Sequence, residues 1–158
     1  MTNFTQKPSK NKVFYSFSAI LFLFIGIFSF TSCSKSGASE KEQMIAYAKA
    51  NNINYTEDPS GILYEIVNPG NSTKPTVSNT ITVTYAGKLM NGSQFDAGTI
   101  TYALSSLIPG WQIAVPKIGV GGSIKVLIPS NLGYGSAGSG PIPGNSPLYF
   151  DISLSGVR

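Results

Sequence analysis

Leu107-Ile108-Pro109-Gly110-Trp111 carries the only tryptophan of the 158-residue chain, and the rest of the fold is built around it. Proline is tolerated in the first turn of a helix, where its missing N–H has no partner to lose, and it biases the preceding residue toward extended geometry. A helix therefore begins near Pro109. Pro116 disfavours helical geometry at Val115, so the helix has about two turns and could not persist alone in water. It needs a sheet around it, and it lays Trp111 at the bottom of an apolar pocket whose walls come from elsewhere.

The flanking segments read as that sheet. From Gly61 onward the period is two: Ile62, Tyr64 and Ile66 alternate with Leu63, Glu65 and Val67 until Asn68-Pro69-Gly70 stops the run. Ile81, Val83 and Tyr85 alternate with threonines. Ile124, Val126 and Ile128 repeat the pattern, as do Leu148, Phe150, Ile152 and Leu154. Asn91-Gly92 is a hairpin-type turn signal, followed by a shorter strand around Thr99 to Leu104. The expected fold class is α+β, an antiparallel sheet of about five strands with one short central helix. Pro129 to Pro147 holds five glycines and four prolines over 19 residues without apolar periodicity, the composition of a functional loop.

Before the domain, Ser39 followed by Glu42 forms a capping box for a short N-terminal helix through about Asn51, with Met44, Ile45, Tyr47 and Ala48 as its apolar face. A spacer helix resting on the domain is preferred to a dimerisation helix, because so short an element makes a small interface. Asn51 to Gly61 is a connector, and Ser34 to Ala38 a flexible tether. The chain opens with Lys7, Lys10 and Lys12 and then Val13 to Phe30, an 18-residue apolar stretch broken only by Ser16, Ser18, Gly26 and Ser29. This is the layout of an export signal, with an uncleaved membrane helix as the alternative. Residues 1–32 are thus a leader, 33–60 a tether with its helix, and 61–158 the globular domain.

Composition removes several function classes. With no histidine and one cysteine, His-assisted nucleophiles, His/Cys metal sites and intramolecular disulfides lack their parts. The net charge of +4 comes mostly from the leader. Without its three lysines, eight basic face seven acidic side chains, a balance of +1, which gives nucleic acid no basic surface to hold. Gly121-Gly122 lacks the spacing and lysine of a phosphate loop and is a turn.

Two resemblances sharpen this reading. Phe30-Thr31-Ser32-Cys33 resembles a bacterial lipobox, although Phe30 replaces the more usual leucine. It implies lipidation of Cys33 and a mature protein held at a membrane by acyl chains, more than one of which makes anchoring stable. Val83-Thr84-Tyr85-Ala86-Gly87-Lys88-Leu89, Asn91-Gly92-Ser93-Gln94-Phe95-Asp96, Leu107 to Trp111, Gly133-Tyr134-Gly135, Ile142-Pro143 and Leu148-Tyr149-Phe150-Asp151 resemble, in order, the motif series of FK506-binding-protein-type (FKBP) peptidyl-prolyl isomerases. The likeness covers residues 61–158. It implies a sheet wrapped around one short helix, with Tyr85, Phe95, Tyr102, Leu107, Trp111, Ile142 and Phe150 binding substrate, and Asp96, Tyr134 and Ile108 carrying catalysis. Ile100 stands where many relatives have a second ring, Ala114 where glycine is common, and Gly144 where a second proline is frequent.

Such chemistry needs no nucleophile, cofactor or metal, because rotating an X-Pro bond breaks only amide resonance, a barrier of about 18–20 kcal/mol. In the family picture the proline ring lies over Trp111. The Ile108 N–H and the Tyr134 hydroxyl hold substrate carbonyls, and Asp96 is an electrostatic and hydrogen-bonding group near the amide. Without the motif order, Trp111, Phe95 and Phe150 read as plain core aromatics, and Asp96 before Ala97-Gly98 equally as a turn former. The implied function is a membrane-tethered isomerase that assists folding of exported proteins; the alternatives are a non-catalytic chaperone or Pro-peptide-binding module and a structural envelope lipoprotein. The implied partners are proline-containing unfolded or exported polypeptides, a membrane through the acyl anchor, and macrolide inhibitors. The expected state is a monomer in the bacterial cell envelope, on the periplasmic side of the outer membrane.

Overall fold

The structure, a computed structural model, describes residues 38–158. The expected leader over 1–32, the lipidation site Cys33 and residues 34–37 of the tether lie outside the described residues. Helix α1 (Glu40–Ala50) starts at the expected capping box: the Glu42 N–H donates to Ser39 Oγ at 3.3 Å, and the Ser39 N–H donates to Glu42 Oε2 at 2.8 Å. Its exit is a Schellman motif. Asn52 takes the left-handed conformation, and the N–H groups of Ile53 and Asn52 reach back to the carbonyls of Ala48 and Lys49.

Alternating sequence becomes one antiparallel sheet of β1 (Thr56–Glu57), β2 (Leu63–Asn68), β3 (Thr80–Leu89), β4 (Gln94–Ala103), β5 (Ser123–Ile128) and β6 (Leu148–Val157), in the order β1-β2-β5-β6-β3-β4. The expected architecture holds, with six strands instead of about five. The addition is β1, two residues of the connector that pair with Leu63 and Tyr64 and are too short to show a period. Strand β4 also begins well before Thr99. Its first half, Gln94 to Gly98, runs along the sheet edge with most residues exposed, so no burial pattern marks it in the sequence. Asp96 lies within this strand opposite Gly87, which removes the turn-former reading.

Period two places alternate side chains on opposite faces, and both faces of the central strands are covered. Ile62, Ile124, Val126, Ile128, Leu148, Phe150, Ile152 and Leu154 face helix α2 (Pro109–Ala114) and its surroundings. Leu63, Leu127 and Tyr149 face α1, where Met44, Tyr47, Ala48 and Ile53 bury them, and the Tyr47 and Tyr149 rings lie 5.1 Å apart.

Helix α2 starts at Pro109 with Ile108 as its N-cap. Its end differs from expectation. Val115 has φ −64° and ψ −36°, and the chain continues into a 3-10 turn, Val115–Lys117, with Pro116 in the turn's first positions. The pre-proline bias is a preference, and here the complete burial of Val115 in the core outweighs it. Gly110 lets the helix lie directly on β5: a Cβ there would sit 2.5 Å from Ile128 Cγ2.

Candidate functional site

Tyr85, Phe95, Asp96, Ile100, Leu107, Ile108, Trp111, Tyr134 and Phe150 line a small cavity of about 80 Å³ above α2. Eight of these nine are expected site residues, and the ninth, Ile100, stands where many relatives have a second ring. It closes one wall as an aliphatic side chain. The structure does not bring two expected residues into the lining. Tyr102 shares the strand face of Ile100 but lies beyond the cavity edge and is 56% exposed, too open to serve as a wall. Ile142 is 6% exposed in the main core, held by a two-way backbone bridge with Ser139. It supports the loop from inside.

The floor is Trp111, 3% exposed, with Phe150 and Tyr85 set edge-on to it at centroid distances of 5.2 Å each. Phe95 meets Phe150 edge-on at 5.6 Å. These offset and T-shaped contacts suit the ring quadrupoles and fix the four rings as one cup. Gly87 makes room for it, since a Cβ there would lie 2.6 Å from the Phe95 ring and 2.8 Å from that of Phe150.

Four polar features meet this apolar cup. The Tyr85 hydroxyl donates to Asp96 Oδ2 at 2.6 Å, which fixes the carboxylate at the rim. That bond, with burial second, pushes the Tyr85 phenol up to about 12. Burial and then the Asp96 charge also raise Tyr134, so both phenols keep their protons at neutral pH. The Ile108 N–H has no hydrogen-bond partner among the described residues, a free donor on a residue of the cavity wall. Trp111 Nε1 is also buried without a partner among the described residues.

Tyr134 comes from the long loop, which backbone hydrogen bonds order. The N–H groups of Gly133 and Gly135 donate to the Ser130 carbonyl, Gly138 N–H to Tyr134 O, and Asn145 N–H to Gly135 O. Gly144 passes so close to the Ser136 carbonyl that a Cβ would collide with it. This explains a glycine at 144, where a proline ring would not fit.

A larger open groove of about 740 Å³ lies between α1 and the Asn91-Gly92 turn, lined by residues such as Gln43, Ala46, Lys88 and Met90. It lacks the aromatic enclosure of the smaller cavity, one mark of a ligand site.

Comparison with known proteins gives the family. The family model described as FKBP-type peptidyl-prolyl cis-trans isomerase matches residues 71–155. The FKBP-type peptidyl-prolyl cis-trans isomerase FkpA of Escherichia coli K12 is 36% identical over 126 residues, 77% of this chain and 46% of that protein. The Outer membrane protein MIP of Legionella longbeachae is 40% identical over 106 residues, 63% of this chain and 46% of its own length. The chain thus spans about half the length of these curated relatives. Among solved structures, FkpA from Escherichia coli superposes with a TM-score of 0.69 at 33% identity, covering 76% of this chain and 59% of that one. A peptidyl-prolyl cis-trans isomerase from Pseudomonas syringae pv. tomato superposes at 0.63 and 30% identity, covering 78% and 98%.

Proposed function

The chain belongs to the FKBP-type peptidyl-prolyl cis-trans isomerase family, and from that premise we propose that it catalyses cis/trans isomerisation of X-Pro bonds in exported polypeptides. The observation that carries this is the aromatic cup over Trp111 with Asp96 and Tyr134 on it. The planar amide is more dipolar than the twisted one. An apolar enclosure therefore disfavours the ground state relative to the transition state when it removes water from the bond.

In this reading the proline ring enters the cup and stacks over Trp111 between Tyr85, Phe95 and Phe150. The free Ile108 N–H and the Tyr134 hydroxyl hold the flanking carbonyls, which keeps the chain fixed on either side while the amide turns. Asp96 acts through its charge and its bond with Tyr85. Its carboxylate accepts from the Tyr85 phenol, and turning an amide transfers no proton, so no general acid is called for. No bond of the substrate is made or broken.

The location proposed is the bacterial cell envelope on the periplasmic side of the outer membrane, through lipidation of Cys33 after loss of residues 1–32. The lipobox-like Phe30-Thr31-Ser32-Cys33 supports it, and the name of the Legionella relative agrees with an envelope setting. The globular domain over 61–158 works as a monomer, and the same cup would receive a macrolide inhibitor.

The test is the refolding of a protein whose slow phase is proline isomerisation. The reading expects that phase to quicken in proportion to added chain. A slow phase left unchanged, in a sample that still binds Pro-containing peptides, establishes the binding-module alternative.

A further inference from the structure

We propose that Glu40, at the first position of α1, is a positioning residue that fixes Tyr134 over the cavity through Ser130. The inference rests on the isomerase reading for its effect on turnover. Glu40 does not line the cavity. Ser130 stands 90 positions away in sequence and is 6% exposed. Its N–H donates to Glu40 Oε2 at 2.6 Å and its hydroxyl to Glu40 Oε1 at 2.6 Å, so one carboxylate clasps both donors of one residue.

The other side of Ser130 holds the catalytic segment. Its carbonyl accepts from the N–H of Gly133 at 2.9 Å and of Gly135 at 2.8 Å, the two residues flanking Tyr134. The backbone on both sides of Tyr134 is thus hung on the Ser130 carbonyl, and Glu40 pins the same residue by its N–H and its hydroxyl. A carboxylate suits the task because it offers two acceptor oxygens, and charge-assisted bonds of this length are about twice as strong as neutral ones. Its place in the first turn of α1 adds the favourable field of the helix N-terminus. The glycines on both sides of Tyr134 make the clasp necessary. Gly135 has φ +62°, and glycine-rich backbone of this kind has many alternative conformations. The Tyr134 hydroxyl needs one position to meet a substrate carbonyl, and small misplacements of a positioning group lower rates strongly.

The experiment compares Glu40→Ala and Glu40→Gln in the full chain by amide hydrogen exchange and by kcat/KM on an X-Pro peptide, each also in a Tyr134→Phe background. In Glu40→Ala, exchange at Gly133 and Gly135 is expected to quicken by about tenfold while the Phe150 and Ile152 amides of β6 keep their wild-type rates. The kcat/KM of Glu40→Ala is expected to fall by about three- to tenfold, and by much less once Tyr134 is phenylalanine. Glu40→Gln, which keeps one acceptor, falls between wild type and alanine. Wild-type exchange at Gly133 and Gly135, or a loss of kcat/KM equally large in both backgrounds, overturns the proposal. If Glu40→Ala does not fold, Ser130→Ala removes one arm of the clasp and is judged by the same readouts. A wild-type chain without catalysis sinks the isomerase reading, whereas the exchange comparison still decides whether Glu40 holds the Tyr134 segment.

Discussion

The Tyr85 hydroxyl donates a 2.6 Å hydrogen bond to Asp96 Oδ2 diagonally across the β3–β4 ladder, where Tyr85 itself faces Gly98. The bond to the carboxylate, with burial second, raises the phenol from 10.0 to about 12. A raised folded-state value means that this contribution to stability is fully present below about pH 10 and is lost as pH rises through about 12. Absorbance titration of tyrosinate checks it. Asp96→Asn is expected to bring the Tyr85 phenol back toward 10 and to lower Tyr134 to a smaller extent; an unaltered titration curve would show that Tyr85 and Asp96 are not coupled.

Two glycines should be intolerant for different reasons. Gly87→Ala drives a methyl into the Phe95 and Phe150 rings and should lower kcat/KM by deforming the cup, while Gly110→Ala pushes α2 off Ile128. Each overpacked site is expected to cost about 1–3 kcal/mol. Thermal unfolding of both variants, with activity measured below their transitions, separates the effects: Gly87→Ala should lose more turnover per unit of lost stability.

Much of this was legible in the sequence wherever local chemistry repeats. The capping box at Ser39 and Glu42, the helix start at Pro109 and the alternating β3, β5 and β6 each carry their own signal. What stayed hidden depends on the neighbours. The first half of β4 lies exposed on an edge and has no period. Leu127 and Tyr149 read as the wet face of their strands until α1 is seen to cover them. The resemblance implied Tyr102 as a substrate-binding residue, yet a strand advances about 3.3 Å per residue and two steps from Ile100 carry it past the cavity rim. The Glu40–Ser130 clasp joins residues 90 positions apart, and no local pattern announces it.

Acid should find a weak point behind α2. Lys117 Nζ lies 2.7 Å from Asp58 Oδ2 and 4.6 Å from the centre of the Tyr64 ring, tying the connector to the turn after the helix. The hydrogen bond from Lys117, followed by that from the Ser60 N–H, lowers Asp58 from 3.8 to about 2. A lowered folded-state value gives stability present above about pH 4 and lost as pH falls through about 2. Chemical unfolding across that window should show the wild-type advantage over Asp58→Asn shrinking toward zero. A constant gap between the two would assign the stability to something other than this titration.

The proposed anchor is tested apart from the pocket. Metabolic labelling with a radioactive fatty acid in a bacterial host should mark the wild-type chain and leave Cys33→Ser unmarked, with the variant moving to the soluble fraction. If the wild type takes no label and keeps its leader, residues 13–30 hold it as a membrane helix instead.

The most direct test of the central claim is cis/trans exchange of an X-Pro peptide followed by NMR in the presence of substoichiometric chain. Uncatalysed exchange takes tens to hundreds of seconds, and an isomerase should give a rate that rises linearly with protein concentration and falls sharply for Trp111→Ala and Tyr134→Ala. Exchange that stays at the uncatalysed rate in the presence of folded wild-type chain would contradict it.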